Sequence, residues 1–197
     1  MYLENINGPS DIQKLNLDEL RILADETRDA LIHKISLAGG HNGPNLGMVE
    51  VTTALHYVFH SPIDKFVFDV SHQSYPHKIL TGRKQAFLDE EHFHDVTGYT
   101  NPEESEHDFF TIGHTSTSIS LALGLAKGRD LNHGKENIIA IIGDGSLSGG
   151  EALEALDYAG EYRNNLIIIV NDNDQSIAEN HGGLYKNLGL TDTLVTC

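Results

Sequence analysis

NIIAIIGDGSLSGGEALEALDYAGEYRNNLIIIVNDN, residues 137–173, decides the fold. Its apolar run Asn137–Ile142 reads as a strand, Gly143-Asp144-Gly145 as a turn, Glu151–Glu161 as a helix, and Leu166–Val170 as a second strand. A strand, a turn, a helix and a strand form a right-handed crossover, which requires the two strands to be parallel. The expectation is therefore an α/β fold: an open, mostly parallel sheet with helices on both faces.

Outward from that unit, KFVFDV (Lys65–Val70) is a third strand and leads into the polar loop SHQSYPHK (Ser71–Lys78). Open parallel sheets deliver functional side chains from such strand ends. Leu20, Leu23, Thr27, Leu31 and Ile35, with Ala24 and Ala30, form the stripe of an amphipathic helix over Leu17–Leu37 that Gly39-Gly40 ends. A second helix is predicted over Met48–Phe59, apolar on most faces and so buried, and a small-residue helix over Ser116–Lys127. Asp89–Phe110, with its acidic run Glu103–Asp108, reads as a mobile surface loop.

The 197 residues suffice for one substantial α/β domain. The formal net charge of −16 argues against a general nucleic-acid surface. A phosphorylated ligand is still possible, held by backbone N–H groups or a metal. No run approaches the roughly 20 apolar residues of a membrane span, and MYLENINGPSDIQ has no signal-peptide pattern, so a cytoplasmic location is expected. The one cysteine, Cys197, can form neither an internal disulfide nor a cysteine zinc site.

Two arms carry the site chemistry. The glycines of Gly143-Asp144-Gly145 let the backbone approach a ligand where its strand ends, and a helix opening near Ser148 aims N–H groups at an anion. Asp144 offers a hard oxygen. After 27 intervening residues Asn173 offers another at the next strand end, and Gln175 could add a backbone carbonyl. A Mg²⁺ ion bridging to a diphosphate needs such a set, because it takes few protein ligands and completes its octahedron with phosphate and water. The alternatives are a plain tight turn, a dinucleotide fingerprint and a P-loop. Ser148 holds the place of the third glycine in the fingerprint, and no Gly-Lys-Ser/Thr follows.

Gly39–His41, Asn45–Phe59, Asp69–Arg83, GHTSTSIS (Gly113–Ser120), GDGSLSGGEALEAL and NDNDQSI together resemble the 1-deoxy-D-xylulose-5-phosphate synthase family, within the transketolase-like thiamine diphosphate enzymes. The likeness runs from about Leu17 to Leu188. It implies the diphosphate-binding domain of a thiamine diphosphate fold, with Asp144, Asn173 and the Gln175 carbonyl on Mg²⁺. Gly143, Gly145 and Ser146 would lie at the diphosphate, and His72 with Gly113, His114 and Thr115 would bind cofactor. His41 would face the substrate, with His41 and His72 as the catalytic histidines.

The implied reaction joins pyruvate to glyceraldehyde 3-phosphate with loss of CO₂, giving 1-deoxyxylulose 5-phosphate for isoprenoid and thiamine biosynthesis. The resemblance also implies a pyrimidine-binding domain and a C-terminal domain, for which 197 residues leave no room. The chain is thus expected to be a fragment or one subunit, its domain incomplete at the C-terminal end, acting in a homodimer or heteromer with a pyrimidine-side partner in trans. A transketolase-type subunit moving two-carbon ketol units and a noncatalytic thiamine diphosphate-binding protein are the alternatives. His33, His56, His60, His92, His94, His107, His133 and His181 read as structural or surface residues, and His77 as structural or supporting.

Overall fold

Strands β1 (Lys65–Phe68), β2 (Ile138–Gly143) and β3 (Leu166–Asn171) lie side by side in that order, all parallel, in the computed structural model. The model describes residues 1–162, 165–172 and 181–186. The helical elements are α1 (Pro9–Ile12), α2 (Leu17–Ala38), α3 (Asn42–Leu46), α4 (Val49–Val58), α5 (Tyr75–Lys78), α6 (Gln85–Leu88), α7 (Ser118–Leu131), α8 (Asp144–Leu147) and α9 (Gly150–Tyr162).

Successive side chains of a strand point to opposite faces, and β2 is apolar on both. Ile138, Ala140 and Ile142 pack with Ile119, Ala122 and Ala126 of α7 and with Ala152 and Ala155 of α9. Ile139 and Ile141 pack on the other face with Met48 and with Leu55 of α4, alongside Phe66 and Phe68 of β1. The continuous run IIAIIG is therefore the central strand of a sheet covered on both sides. Its register with β3 sets Gly143 opposite Asn171, so the two strands end side by side.

A second core lies under α2, where Leu23, Ala24, Ala30 and Leu31 meet Leu3, Ile6, Ile79, Leu80 and Phe87. Helix α2 starts on a capping box: the Asn16 side chain accepts from the Asp18 and Glu19 N–H groups, while the Glu19 carboxylate accepts from the Asn16 N–H. Thr27, the polar member of its stripe, is buried because its hydroxyl donates to the Leu23 carbonyl at 2.8 Å. The helix ends at Gly39, whose φ of 76° suits glycine.

The helix expected over Glu151–Glu161 forms as α9, with the short α8 ahead of it where β2 stops. Helix α4 is buried on most faces, with one solvent edge at Glu50, Ala54 and Val58. One sequence expectation needs correction. The acidic run 103–108 belongs to a segment tied inward by buried charges, described below, and is not a free surface loop. No helix among the described residues is long and apolar enough to cross a membrane.

Candidate functional site at the carboxyl ends of the strands

Each strand tip carries a polar residue: Asp69 follows β1, Asp144 follows β2, and Asn171 ends β3. Asp69, nearly fully buried, organises the loop before α7. Its two carboxylate oxygens accept from the N–H groups of Ser116 and Ser118, each at 2.9 Å. A carboxylate at a helix N-terminus also complements the dipole. The chain leaves β1 through Val70 and Ser71, both with positive φ, an unusual backbone for β-branched and hydroxyl side chains. Ser71 is then fixed by donating to the Ile112 carbonyl and accepting from the Thr100 N–H.

The 113–118 loop docks on the turn that follows β2. Thr115 Oγ1 donates to Ser146 Oγ at 2.6 Å, and Ser116 Oγ donates to the Ser146 carbonyl at 2.7 Å. Close approach there depends on Gly149: a Cβ at that position would lie 2.0 Å from Ser116 Oγ and 2.6 Å from its Cβ. Asp144, two residues before Ser146, is buried, and its carbonyl accepts from the Tyr185 hydroxyl at 3.2 Å.

His41 and His72 form the second part of the site, with ring centroids 5.2 Å apart and nearly perpendicular. Tyr99 stands edge-on to His41 at 6.2 Å. Burial, and then the neighbouring His41, push His72 below the ordinary histidine range, while Asp69 pulls the other way. Its Nδ1 is buried with no hydrogen-bond partner. His41 is exposed.

Behind this wall runs a chain of buried ionisable groups. Asp108 accepts from Arg83 at 2.7 and 3.0 Å, from His77 Nε2 at 3.0 Å and from the Asn101 N–H at 2.9 Å. Since the carboxylate can only accept, a neutral His77 carries its proton on Nε2 and accepts on Nδ1. His56 Nε2 must then be the donor across their 3.0 Å contact. That leaves His56 Nδ1 as a bare buried acceptor. Burial raises the Asp108 pKa, but the hydrogen bonds from His77 and Arg83 and the Arg83 charge outweigh it and hold the carboxyl far below the usual carboxylate range. Burial pushes His56, His77 and His107 down, His107 to about 4. Lys78, fully buried, donates to Glu104, whose other oxygen accepts from the Thr97 N–H. The acidic residues of 103–108 thus neutralise buried Lys78 and Arg83 and brace the segment that presents Tyr99.

The structure brings Thr115 and Ser146 into contact, with Gly143, Asp144, Gly145, Gly113 and His114 on the adjoining segments at the same edge of the sheet. His41 and His72 form a pair at that edge. His114 is exposed, its ring nitrogen 3.2 Å from the Thr115 carbonyl. Asn173 and Gln175 lie outside the described residues, as does Cys197. Among the described residues no three His, Cys, Asp or Glu side chains cluster as a metal site. The donors present fit Mg²⁺ and a diphosphate: one hard carboxylate at a strand tip, with hydroxyls and glycine backbone beside it. Sequence reading missed Asp69, Asn45 and Tyr99. For Asp69 a signal existed, an acid directly ending a strand.

Comparison with known proteins follows the same lines. A family model described as 1-deoxy-D-xylulose-5-phosphate synthase matches residues 3–194. The 1-deoxy-D-xylulose-5-phosphate synthase of Halalkalibacterium halodurans is 51% identical over 189 residues, covering 96% of this chain and 30% of the relative. That of Syntrophotalea carbinolica is 48% identical over 195 residues, covering 98% and 31%. The chain therefore spans about 30% of the length of these relatives. Among solved structures, the transketolase of Campylobacter jejuni aligns with a TM-score of 0.72 at 20% identity, over 89% of this chain and 32% of that one. The transketolase of Leishmania mexicana aligns at 0.67 and 20%, over 87% and 31%. At such identity the likeness speaks for the fold.

Proposed function

This chain belongs to the 1-deoxy-D-xylulose-5-phosphate synthase family, and from that premise we propose that it supplies the diphosphate and Mg²⁺ side of a thiamine diphosphate site. The observation that carries the reading is the register placing Gly143 opposite Asn171, with buried Asp144 next in the chain at one tip and the 113–116 loop clamped over Ser146. Asp144 would hold Mg²⁺ with Asn173 and the Gln175 carbonyl. Gly145, Ser146 and Thr115 would face the diphosphate, with Gly113, His114 and His72 as further cofactor-binding residues.

Thiamine diphosphate, when bound, supplies the electron sink that decarboxylation of a 2-keto acid needs. The chain's own residues contribute placement and proton control. His72, held neutral near pH 7 by burial and by His41, can give or take a hydrogen bond at its unpartnered Nδ1. His41, exposed beside it, is placed to meet an acceptor carbonyl. The substrates are pyruvate and glyceraldehyde 3-phosphate, and the product serves isoprenoid and thiamine biosynthesis. Residues 1–197 act as the diphosphate-side domain of a cytoplasmic homodimer or heteromer, with a pyrimidine-binding domain or subunit completing the site.

Calorimetric titration of thiamine diphosphate with and without Mg²⁺ tests this. Asp144→Asn should abolish the Mg²⁺-dependent part of binding, and unchanged affinity overturns the metal role. With a pyrimidine-side partner added, pyruvate-dependent CO₂ release is expected. Ketol transfer between sugar phosphates would instead assign the transketolase-type role.

A further inference from the structure

Asn45 is fully buried between the two candidate histidines, and its amide makes three hydrogen bonds there. Its Nδ2 donates to the backbone carbonyl of His41 at 2.6 Å and to that of His72 at 2.9 Å. Its Oδ1 accepts from the Tyr75 N–H, also at 2.9 Å. These partners come from separate parts of the chain: His41 opens α3, His72 lies four residues past β1, and Tyr75 begins α5. Both N–H protons of a carboxamide are needed to hold two carbonyls, and its oxygen is needed for the third contact. Among the side chains, only an amide offers two donors and an acceptor on so short a stem.

We propose that Asn45 is a positioning residue that fixes the His41–His72 pair, binding the two backbone segments so that the rings meet edge-on. The proposal deepens the functional reading above, since it concerns the same site. Other groups facing His72 are few: Asp69 contributes an attractive charge, and Tyr99 meets His41 from the opposite segment. None of these bridges the two backbones. Tyr75 reinforces the arrangement, because its hydroxyl would lie 3.0 Å from a Cβ at Gly40, directly before His41. The three hydrogen bonds of Asn45 all go to backbone groups, so its effect reaches chemistry through where it puts His41 and His72.

The test uses the 197-residue chain without cofactor, by nuclear magnetic resonance of the histidine rings. Asn45→Asp keeps the acceptor for Tyr75 and replaces both donors by an oxygen that repels the two carbonyls. The ring-to-ring Overhauser contact between His41 and His72 should disappear in this variant. A residue that merely stabilises the fold would leave the pair intact in the folded fraction, so persistence of the contact overturns the proposal.

Should Asn45→Asp not fold, the unmodified chain still decides. Both Asn45 Nδ2 protons should resist solvent exchange and show contacts to the His41 and His72 backbones, whereas rapid exchange of either overturns the assignment. These readouts are independent of thiamine diphosphate. Failure to bind cofactor would sink the functional reading while leaving the histidine pair in place.

Discussion

Replacing Asp108 by alanine should unfold the chain far more easily than its position in a run of acidic residues suggests. The substitution deletes four hydrogen bonds, two from Arg83, one from His77 and one from the Asn101 N–H. The carboxylate is completely buried, and the Arg83 side chain is only 11% exposed, so water cannot readily replace what is lost. Removing one member of a buried ion pair typically costs about 3–5 kcal/mol. Arg83 keeps the Thr81 hydroxyl at 2.8 Å and Glu104 at 3.4 Å, which places the cost at the lower end, about 3 kcal/mol. With a urea m-value of about 2 kcal/mol/M, that lowers the midpoint by about 1.5 M. The assay is far-UV circular dichroism with tyrosine fluorescence, since the chain has seven tyrosines and no tryptophan. Glu106→Ala, at an exposed neighbour, is the internal control and should stay within about 0.5 kcal/mol of the parent. A midpoint shift for Asp108→Ala no larger than the control's would refute the claim that this acid neutralises a buried cation.

Acidification should destabilise the protein well before its carboxylates titrate. His56, His77 and His107 bind protons less readily folded than unfolded, so the unfolded chain takes up the excess protons once pH falls below about 6.5. Their contribution is complete above that value and declines toward the folded value, about 4 for His107. Urea midpoints at pH 7.5, 6.5, 5.5 and 5.0 should fall steadily, and a flat profile contradicts the buried neutral assignment. Asp108, depressed when folded, adds a loss that starts only near the unfolded carboxylate value of about 4 and continues downward. Gly149→Ala should be destabilising by about 1–3 kcal/mol, because the new methyl meets Ser116 Cβ as well as its movable hydroxyl. Adding Ser116→Gly, at a residue with φ of 71°, should recover much of that loss in a double-mutant cycle. Strict additivity of the two would show that they do not touch.

The sheet was legible because parallel strands buried on both faces read as unbroken apolar runs, and IIAIIG and LIIIV are such runs flanking a glycine turn and a helix. The same logic located the strand tips, since the residue after each run must leave the sheet at its carboxyl end. The family likeness rested on the same segments. What the sequence hid were pairings over long separations. Lys78 and Arg83 lie five apart across a kink at Thr81 and Gly82, and Glu104 and Asp108 lie four apart in a polar segment. Nothing local marks them as partners, and a lysine is ordinarily expected at the surface. Read alone, the acidic run is a solvated loop.

Those hidden pairings change how the site is understood. An acidic stretch beside a site proposed to take a diphosphate looks unfavourable if its charges point outward. Here Glu104 is bound to Lys78 and Thr97, and Asp108 to Arg83, His77 and Asn101, so two of these charges are balanced within the protein. Their role is mechanical: they fasten the segment 97–108 so that Tyr99 faces His41, and the Asp108–His77–His56 chain extends that support back to α4. On the other side, Asp69 fastens the 115–118 turn and Asn45 fastens the histidine pair. Asp69, Asn45 and Asp108, all buried, thus each hold a segment of the candidate site. Such supports pre-organise a site at the expense of folding stability, because each must be satisfied completely or it destabilises the chain. Damage to any one of them should then displace the candidate side chains before it removes them, which is why the His41–His72 ring contact reports on the site more directly than turnover does.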